Sequence, residues 1–328
     1  MGDETFDLAV VGAGPCGIAV GAAAREADRS VLLLERGFVT NALIQYPPYM
    51  TFFSTAEKLE VGGVPFVVPR DKPTRLDALV YYRRVVDYFG LPVRQHTEVT
   101  GVSGKPGRFR VRLRTRQGED DEVRARAVVV ATGGFDEPNL LGIPGEDLAK
   151  VLHHYTEPHP YFDQDVLVVG GGNSAVEAAL ELFRARARVT LVHFGTELDR
   201  GVKPWVLPDI RNRIEKGEIP MRWRHRLVEV RPRSVILEDE GSGRREELAN
   251  DWVFAMTGWR ANPALLHSIG VEIDPETGIP DHDPDSMATN VPGIYVAGVL
   301  AAGYDANRIF IENGREHGGR IVRHLTRE

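Results

Sequence analysis

The strongest constraint on this chain lies near its start, in FDLAVVGAGPCGIAVGAAAREADRSVLLLER, residues 6–36. Apolar residues 8–11 read as a buried strand, and Gly12, Gly14 and Gly17 form GxGxxG directly after it. A helix of small and apolar residues follows, and then residues 31–34 read as a second strand closed by Glu35. In such a pattern the first glycine permits the tight turn, the second lets backbone approach a pyrophosphate, and the third lets helix and strand pack closely. The helix N-terminus turns its unpaired N–H groups toward phosphate oxygens, and the Glu35 carboxylate accepts from ribose hydroxyls. GxGxxG alone marks only a corner that needs glycine. With both strands, the helix and the acid at the right spacing, it marks a dinucleotide site.

The pattern recurs once. In VLVVGGGNSAVEAALELFRARARVTLVHF, residues 166–169 read as a strand, Gly170, Gly172 and Ala175 as GxGxxA, 175–183 as a helix and 189–192 as the next strand. Between the two crossovers, 36–73 has neither helical nor strand period, and so long a loop suits wrapping a ligand. The spacing predicts a helix over 74–88 with Thr74 as N-cap, then short strands at 98–102, 109–113 and 122–125 in an antiparallel meander. A separate strand over 127–130 runs into Ala131-Thr132-Gly133-Gly134. Later come a helix over 204–216, strands at 221–230 and 234–238, and a strand over 251–256 leading to Thr257-Gly258. Residues 294–297 make a last strand ending at Gly298, and 307–325 a closing helix weakened by Gly314, Gly318 and Gly319.

At 328 residues the chain has room for two ordinary domains. A net charge of −7 argues against a nucleic-acid partner. The single cysteine, Cys16, excludes an internal disulfide and any CxxC pair, and fits a reducing, cytoplasmic setting. The opening MGDETF lacks the pattern of a signal peptide, and the glycines and proline in 8–24 mark strand, turn and helix, so no membrane span is expected.

Two dinucleotide folds without a metal-ligand cluster imply flavin plus nicotinamide. The order GxGxxG, ATG, GxGxxA, Thr-Gly and GIYVAG resembles the two-dinucleotide-domain flavoproteins of the thioredoxin reductase type. The resemblance implies an α/β fold of two Rossmann-like domains, with FAD on 1–139 plus 261–328 and an inserted NAD(P)H domain on 140–260. The departures are informative. That family's CxxC is replaced here by HHYTEPHPYFDQDV, and its terminal Gly-Asp by Gly298-Val299. The stretches YPPYMTFFSTAEKLEVGGVPF, VKPWVLP and GVLAAGYDANRIFIENGREHGG resemble a narrower group, the bacillithiol disulfide reductases, which also lack CxxC and carry a cysteine in the first glycine motif. The resemblance implies a homodimeric, FAD-dependent, NADPH-oxidising reductase of a small-molecule disulfide, without a nucleic-acid or membrane partner. The rival readings are a ferredoxin- or flavodoxin-NADP reductase and a non-catalytic flavin sensor.

Carried onto this chain, the resemblance puts Gly12, Gly14, Pro15, Cys16 and Gly17 at the FAD pyrophosphate and Glu35 with Arg36 at the adenosine ribose. Tyr46, Thr51, Phe52 and Phe53 would wrap the ribityl chain and flavin, Val99 would meet adenine, and Thr132, Gly133 and Gly298 would line the cofactor. Asn307, Arg308 and Ile309 would open the last helix toward the flavin. Gly170, Gly172, Asn173, Ser174 and Ala175 would hold the second pyrophosphate. For NADPH, basic residues are wanted after His193, yet Phe194-Gly195 follows, so Arg200 or Lys203 must reach the 2′-phosphate. No acid stands at that strand end to favour NADH, which stays the alternative. Cys16, in the first turn of a helix, is a candidate nucleophile with a buried apolar role as its rival. Among His153, His154, Tyr155 and His159, His154 is the candidate acid for a leaving thiolate, with surface histidines in a loop as the alternative. Arg70, Lys72 and Arg75 would attract an anionic thiol, with a solvated basic face as the alternative.

Overall fold

A computed structural model describes residues 5–135, 137–306 and 308–327. The first crossover folds as its pattern requires, with strand Thr5–Val11, helix Pro15–Glu26 and strand Val31–Leu34. The two strands pair in parallel with Leu8 opposite Val31. Residues 8–11 and 31–34 are buried on both faces, which is why they read as unbroken apolar runs. The described chain separates into two compact units. The first comprises Met1–Ile44, Tyr49–Glu137 and Trp259–Glu328, the second Gln45–Pro48 and Pro138–Gly258.

The first unit is built on a seven-stranded sheet in the order Val93–Arg94, Val31–Leu34, Thr5–Val11, Asp120–Val130, Arg108–Thr115, Thr97–Lys105, with Ile294–Val296 also on Asp120–Val130. Residues 122–125 and 127–130, expected as two strands, are one. Arg126 points outward between buried Ala125 and Ala127, so the alternation never breaks. One edge of this strand runs parallel to Thr5–Val11. Its other edge pairs antiparallel with Arg108–Thr115 and then parallel with Ile294–Val296.

Helix Arg75–Tyr88 begins at the expected Thr74. Its hydroxyl accepts from the Asp77 N–H at 3.3 Å while the Asp77 carboxylate accepts from the Thr74 N–H at 2.8 Å, a reciprocal cap. The helix also fixes the irregular stretch before it, since Tyr81 donates to the Val64 carbonyl at 2.7 Å and Tyr82 to that of Leu59 at 3.0 Å. The helix expected over 307–325 is two pieces, Ile311–Gly314 and His317–Leu325. The first ends at Gly314, whose missing side chain leaves room for the Cys16 sulfur.

In the second unit five strands run parallel in the order Met221–Trp223, Arg188–His193, Asp165–Val169, Trp252–Ala255, Val151–Leu152. Helix Asn173–Arg184 packs Val176, Ala179 and Leu180 into the core on this sheet. A separate antiparallel sheet joins His225–Val230, Ser234–Asp239 and Arg245–Ala249. The strand expected over 221–230 is therefore split, because Arg224 adopts a left-handed φ of 56° that no strand continues through. Helix 204–216 is shortened to Leu207–Glu215.

Candidate functional site

In the first unit the glycine turn is held by main-chain contacts that exclude any other residue. Gly12 has φ +108°, donates to the Leu34 carbonyl at 2.8 Å, and a Cβ on it would lie 2.4 Å from the Ala131 oxygen. A Cβ on Gly17 would lie 2.1 Å from the Gly12 oxygen. Gly14 is different. It is the N-cap of helix Pro15–Glu26, no side chain caps that helix, and a Cβ on it would meet nothing within 4 Å. Unpaired N–H groups therefore face open space, as a pyrophosphate needs. Glu35 closes the cradle by accepting from the N–H groups of Ala13 and Gly37, one at each oxygen and each at 2.8 Å. Its remaining lone pairs can take ribose hydroxyls. The residues present thus fit a dinucleotide.

Around this turn, Gly133 has φ +82° with open space over it, and Thr132 is exposed. Thr51 bridges to Thr74, Phe52 is buried, and Phe53 is exposed beneath the Lys72 ammonium, 5.5 Å from its ring centre. Val99 is half-buried and Arg36 exposed. Tyr46 groups with the second unit, in the segment Gln45–Pro48. Arg308 and Ile309 precede the closing helices and do not open one, and Asn307 lies outside the described residues.

Cys16 packs against glycine. A Cβ on Gly298 would lie 3.1 Å from its sulfur, and one on Gly314 2.7 Å. The residue as a whole keeps some exposure, but its sulfur is the enclosed part. Burial first, and then the Glu312 carboxylate, push the thiol up to about 12. Burial thus acts against the helix dipole, the effect on which the expectation of a thiolate at Cys16 rests. Gly298 itself has φ +73° and donates its N–H to Nδ1 of His317 at 3.1 Å. Burial, followed by Arg320 and His282, lowers His317 to about 4, so the ring is neutral with its proton on Nε2. Arg315 donates to the carbonyls of Glu57 and Glu60, at 2.9 and 2.7 Å. Sequence reasoning missed His317 and Arg315 as anchors; ENGREH was in view, but what it touches lies far away in the chain.

The second unit repeats the device. Gly170, φ +139°, donates to the Val192 carbonyl at 2.9 Å, and a Cβ on it would lie 2.6 Å from the Met256 oxygen. Gly172 is the N-cap of helix Asn173–Arg184, which no side chain caps, Ser174 is exposed on the first turn, and Ala175 is buried beneath it. Asn173 turns inward, donating to Glu177 at 2.6 Å and accepting from the Lys203 N–H at 3.1 Å. Lys203 is only 4% exposed and its ammonium binds both Glu177 oxygens at 2.8 and 3.0 Å. Its expected role at a 2′-phosphate is corrected, because its charge is already balanced inside the fold. His193 ends its strand buried against Gly171 and Gly195, with Nδ1 lacking a hydrogen-bond partner and Nε2 3.6 Å from Asp199. No acid follows His193 directly, yet the chain returns Asp199 to that strand end by donating its N–H to the Gly171 carbonyl at 3.0 Å.

His154 is exposed after strand Val151–Leu152, with its pKa lowered by partial burial and then by His153. His153 lies 3.8 Å from Glu146, Tyr155 is buried and His159 exposed. Arg70 pairs with Asp77 at 3.3 Å and Arg75 donates to the Ile44 carbonyl at 2.7 Å. Among the described residues no group of His, Cys, Asp and Glu could hold a metal, and no helix is long and apolar enough to cross a membrane.

One glycine-cornered cradle in each α/β unit, with no protein dithiol, defines a flavoprotein oxidoreductase that pairs a flavin with a nicotinamide cofactor. Residues 9–298 match the family model of the pyridine nucleotide-disulphide oxidoreductases, and the chain belongs to that family. The bacilliredoxin reductase Bdr of Bacillus subtilis (strain 168) is 41% identical over 322 residues, 97% of each chain. The solved structure of the bacillithiol disulfide reductase Bdr from Bacillus cereus superposes with a TM-score of 0.95 at 41% identity, covering 99% of this chain and 100% of that one. The Staphylococcus aureus enzyme of the same name gives 0.93 at 36%, covering 99% of each.

Proposed function

We propose that this chain is an FAD-dependent reductase that takes a hydride from a reduced nicotinamide dinucleotide and delivers two electrons to a low-molecular-weight disulfide of the bacillithiol class. One disulfide, one hydride and one proton give two thiols and the oxidised dinucleotide. The observation that carries the reading is full-length likeness to two bacillithiol disulfide reductases in a chain whose only thiol, Cys16, is buried and held protonated.

Bound FAD supplies the step between two-electron donor and disulfide. The chain's own residues do the rest. Gly12, Gly14 and Gly17 admit the pyrophosphate, Glu35 takes the adenosine ribose, and Thr51, Phe52, Phe53, Gly133 and Gly298 line the remaining length. Gly170, Gly172, Ser174 and Ala175 receive the second dinucleotide. The lowered pKa of His154 leaves it mostly neutral near pH 7, so as a proton donor to the leaving thiolate it serves best in mildly acid solution. The proposal includes a homodimer, a reading supported by the apolar Leu76, Val80 and Tyr88 that helix Arg75–Tyr88 leaves exposed.

The test is steady-state oxidation of NADH and NADPH by the yellow enzyme against bacillithiol disulfide, glutathione disulfide, a bacilliredoxin mixed disulfide and ferredoxin. Turnover with bacillithiol disulfide well above glutathione disulfide is expected. Turnover with the bacilliredoxin mixed disulfide alone would move the substrate to a protein, the reading that the name of the Bacillus subtilis relative favours. Reduction of ferredoxin alone would replace the proposal.

A further inference from the structure

The resemblance to thioredoxin reductases carries an expectation of NADPH, and the second unit holds the residues that decide it. A 2′-phosphate brings close to two negative charges and needs Arg or Lys at the end of the second strand of its crossover, whereas a carboxylate there binds the two ribose hydroxyls of NADH. The strand ends at His193. The next residue, Phe194, is apolar and 56% exposed. The Arg226 guanidinium stacks over its ring at 4.8 Å, but its Nε is paired with Glu240. Lys203 is neutralised by Glu177. Asp199, 57% exposed, instead stands over the glycine turn, where a Cβ on Gly172 would lie 3.2 Å from its Oδ2. The buried imidazole of His193 backs it 3.6 Å away, with its other nitrogen unpartnered. Arg200, next in sequence and exposed, is the competing charge.

We infer that Asp199 accepts the adenosine ribose hydroxyls and repels a 2′-phosphate, so that this reductase draws its electrons from NADH. The inference rests on the proposed function only in taking the turn over 170–175 as the pyrophosphate site of the nicotinamide dinucleotide. The backbone N–H of Asp199, bonded to the Gly171 carbonyl, fixes its main chain beside that turn and so keeps the carboxylate within reach of the site. Like charges a few ångströms apart near a protein surface repel strongly enough to set the preference, and Phe194 offers nothing to offset it.

The experiment is calorimetric titration of the flavin-loaded protein with NAD+ and with NADP+, beside anaerobic bleaching of the flavin by NADH and by NADPH. Wild type is expected to bind NAD+ about tenfold or more tighter than NADP+. Asp199→Asn and Asp199→Ser should narrow that ratio by about tenfold while the flavin spectrum stays unchanged, and Asp199→Ser with Phe194→Arg should invert it. Tighter binding of NADP+ by wild type, or a ratio unmoved by either Asp199 variant, overturns the inference and leaves the reductase standing. Loss of NADP+ affinity alone in Arg200→Ala would also overturn it, by giving the 2′-phosphate a partner. Failure of both dinucleotides to bind or bleach would sink the proposed function itself.

Discussion

At the scale of single residues, the chemistry of this protein is decided by where burial overrules local expectation. Cys16 sits where a helix dipole would favour a thiolate, yet desolvation and Glu312 raise it to about 12. The native thiol should therefore react with a disulfide dye at pH 8 about a hundredfold or more slower than in denaturant. Cys16→Ala should retain at least about half of wild-type turnover, as a thiol held protonated is no nucleophile. His317 is the second case. Its folded value of about 4 lies below the ordinary 6.5, so between those values the unfolded chain binds the extra proton. The stability owed to the neutral ring is present above about pH 6.5, falls with pH, and is gone below about 4, a loss on the order of 3 kcal/mol. His317→Asn keeps an acceptor for the Gly298 N–H but does not titrate. Its urea midpoint should fall less than that of wild type between pH 7.5 and 4.5, and parallel curves would remove His317 from the account.

Among elements, the two crossovers show one motif whose glycines fail in different ways. Gly12→Ala adds a Cβ at left-handed φ, 2.4 Å from a main-chain oxygen, and is expected to cost about 2 kcal/mol or more of stability. Gly14→Ala meets nothing in the protein, at an ordinary φ of −73°, so the urea midpoint should hold while the new methyl fills the pyrophosphate's space and the protein purifies colourless. Yellow Gly14→Ala protein would remove the flavin from this turn. Elements like these were legible in the sequence because every local cue agreed: apolar period, glycine corners and, at Thr74, a reciprocal cap. Elsewhere one residue overruled the pattern. The apolar residues of 221–230 look continuous until Arg224 turns left-handed, and the helical spacing of 307–325 hides a break after Gly314. Arg245–Ala249 went unseen because charged residues occupy both its faces and it leans on Ser234–Asp239. The cradles could be read from spacing, but Asp199 and His317 could not. Asp199 meets Gly172 and His317 meets Gly298 only after the chain has folded back.

For the whole molecule, the consequence of one unit being inserted into the other is an asymmetry in how each depends on the chain. The second unit is nearly continuous, from Pro138 to Gly258 with only Gln45–Pro48 added, and its five parallel strands and core clusters come from that stretch. The first unit needs both flanks. Ile294–Val296 completes its sheet against Val128–Val130, and helix His317–Leu325 packs so closely on Pro15–Glu26 that a Cβ on Gly318 would lie 2.5 Å from the Ala19 oxygen. The helix proposed to receive the flavin pyrophosphate at its N-terminus is thus clamped from the far end of the chain, and long-range closure of this kind delays its formation until both flanks exist. A fragment of residues 138–258 should fold alone, show one cooperative urea transition and bind NAD+ without flavin. A chain ending at residue 293 should lose the clamp and the edge strand together, fail to retain FAD, and keep the dinucleotide affinity of the second unit. Retention of FAD by that truncated chain would show that the first crossover needs no support from the C-terminal segment, and the clamp would have to be given up.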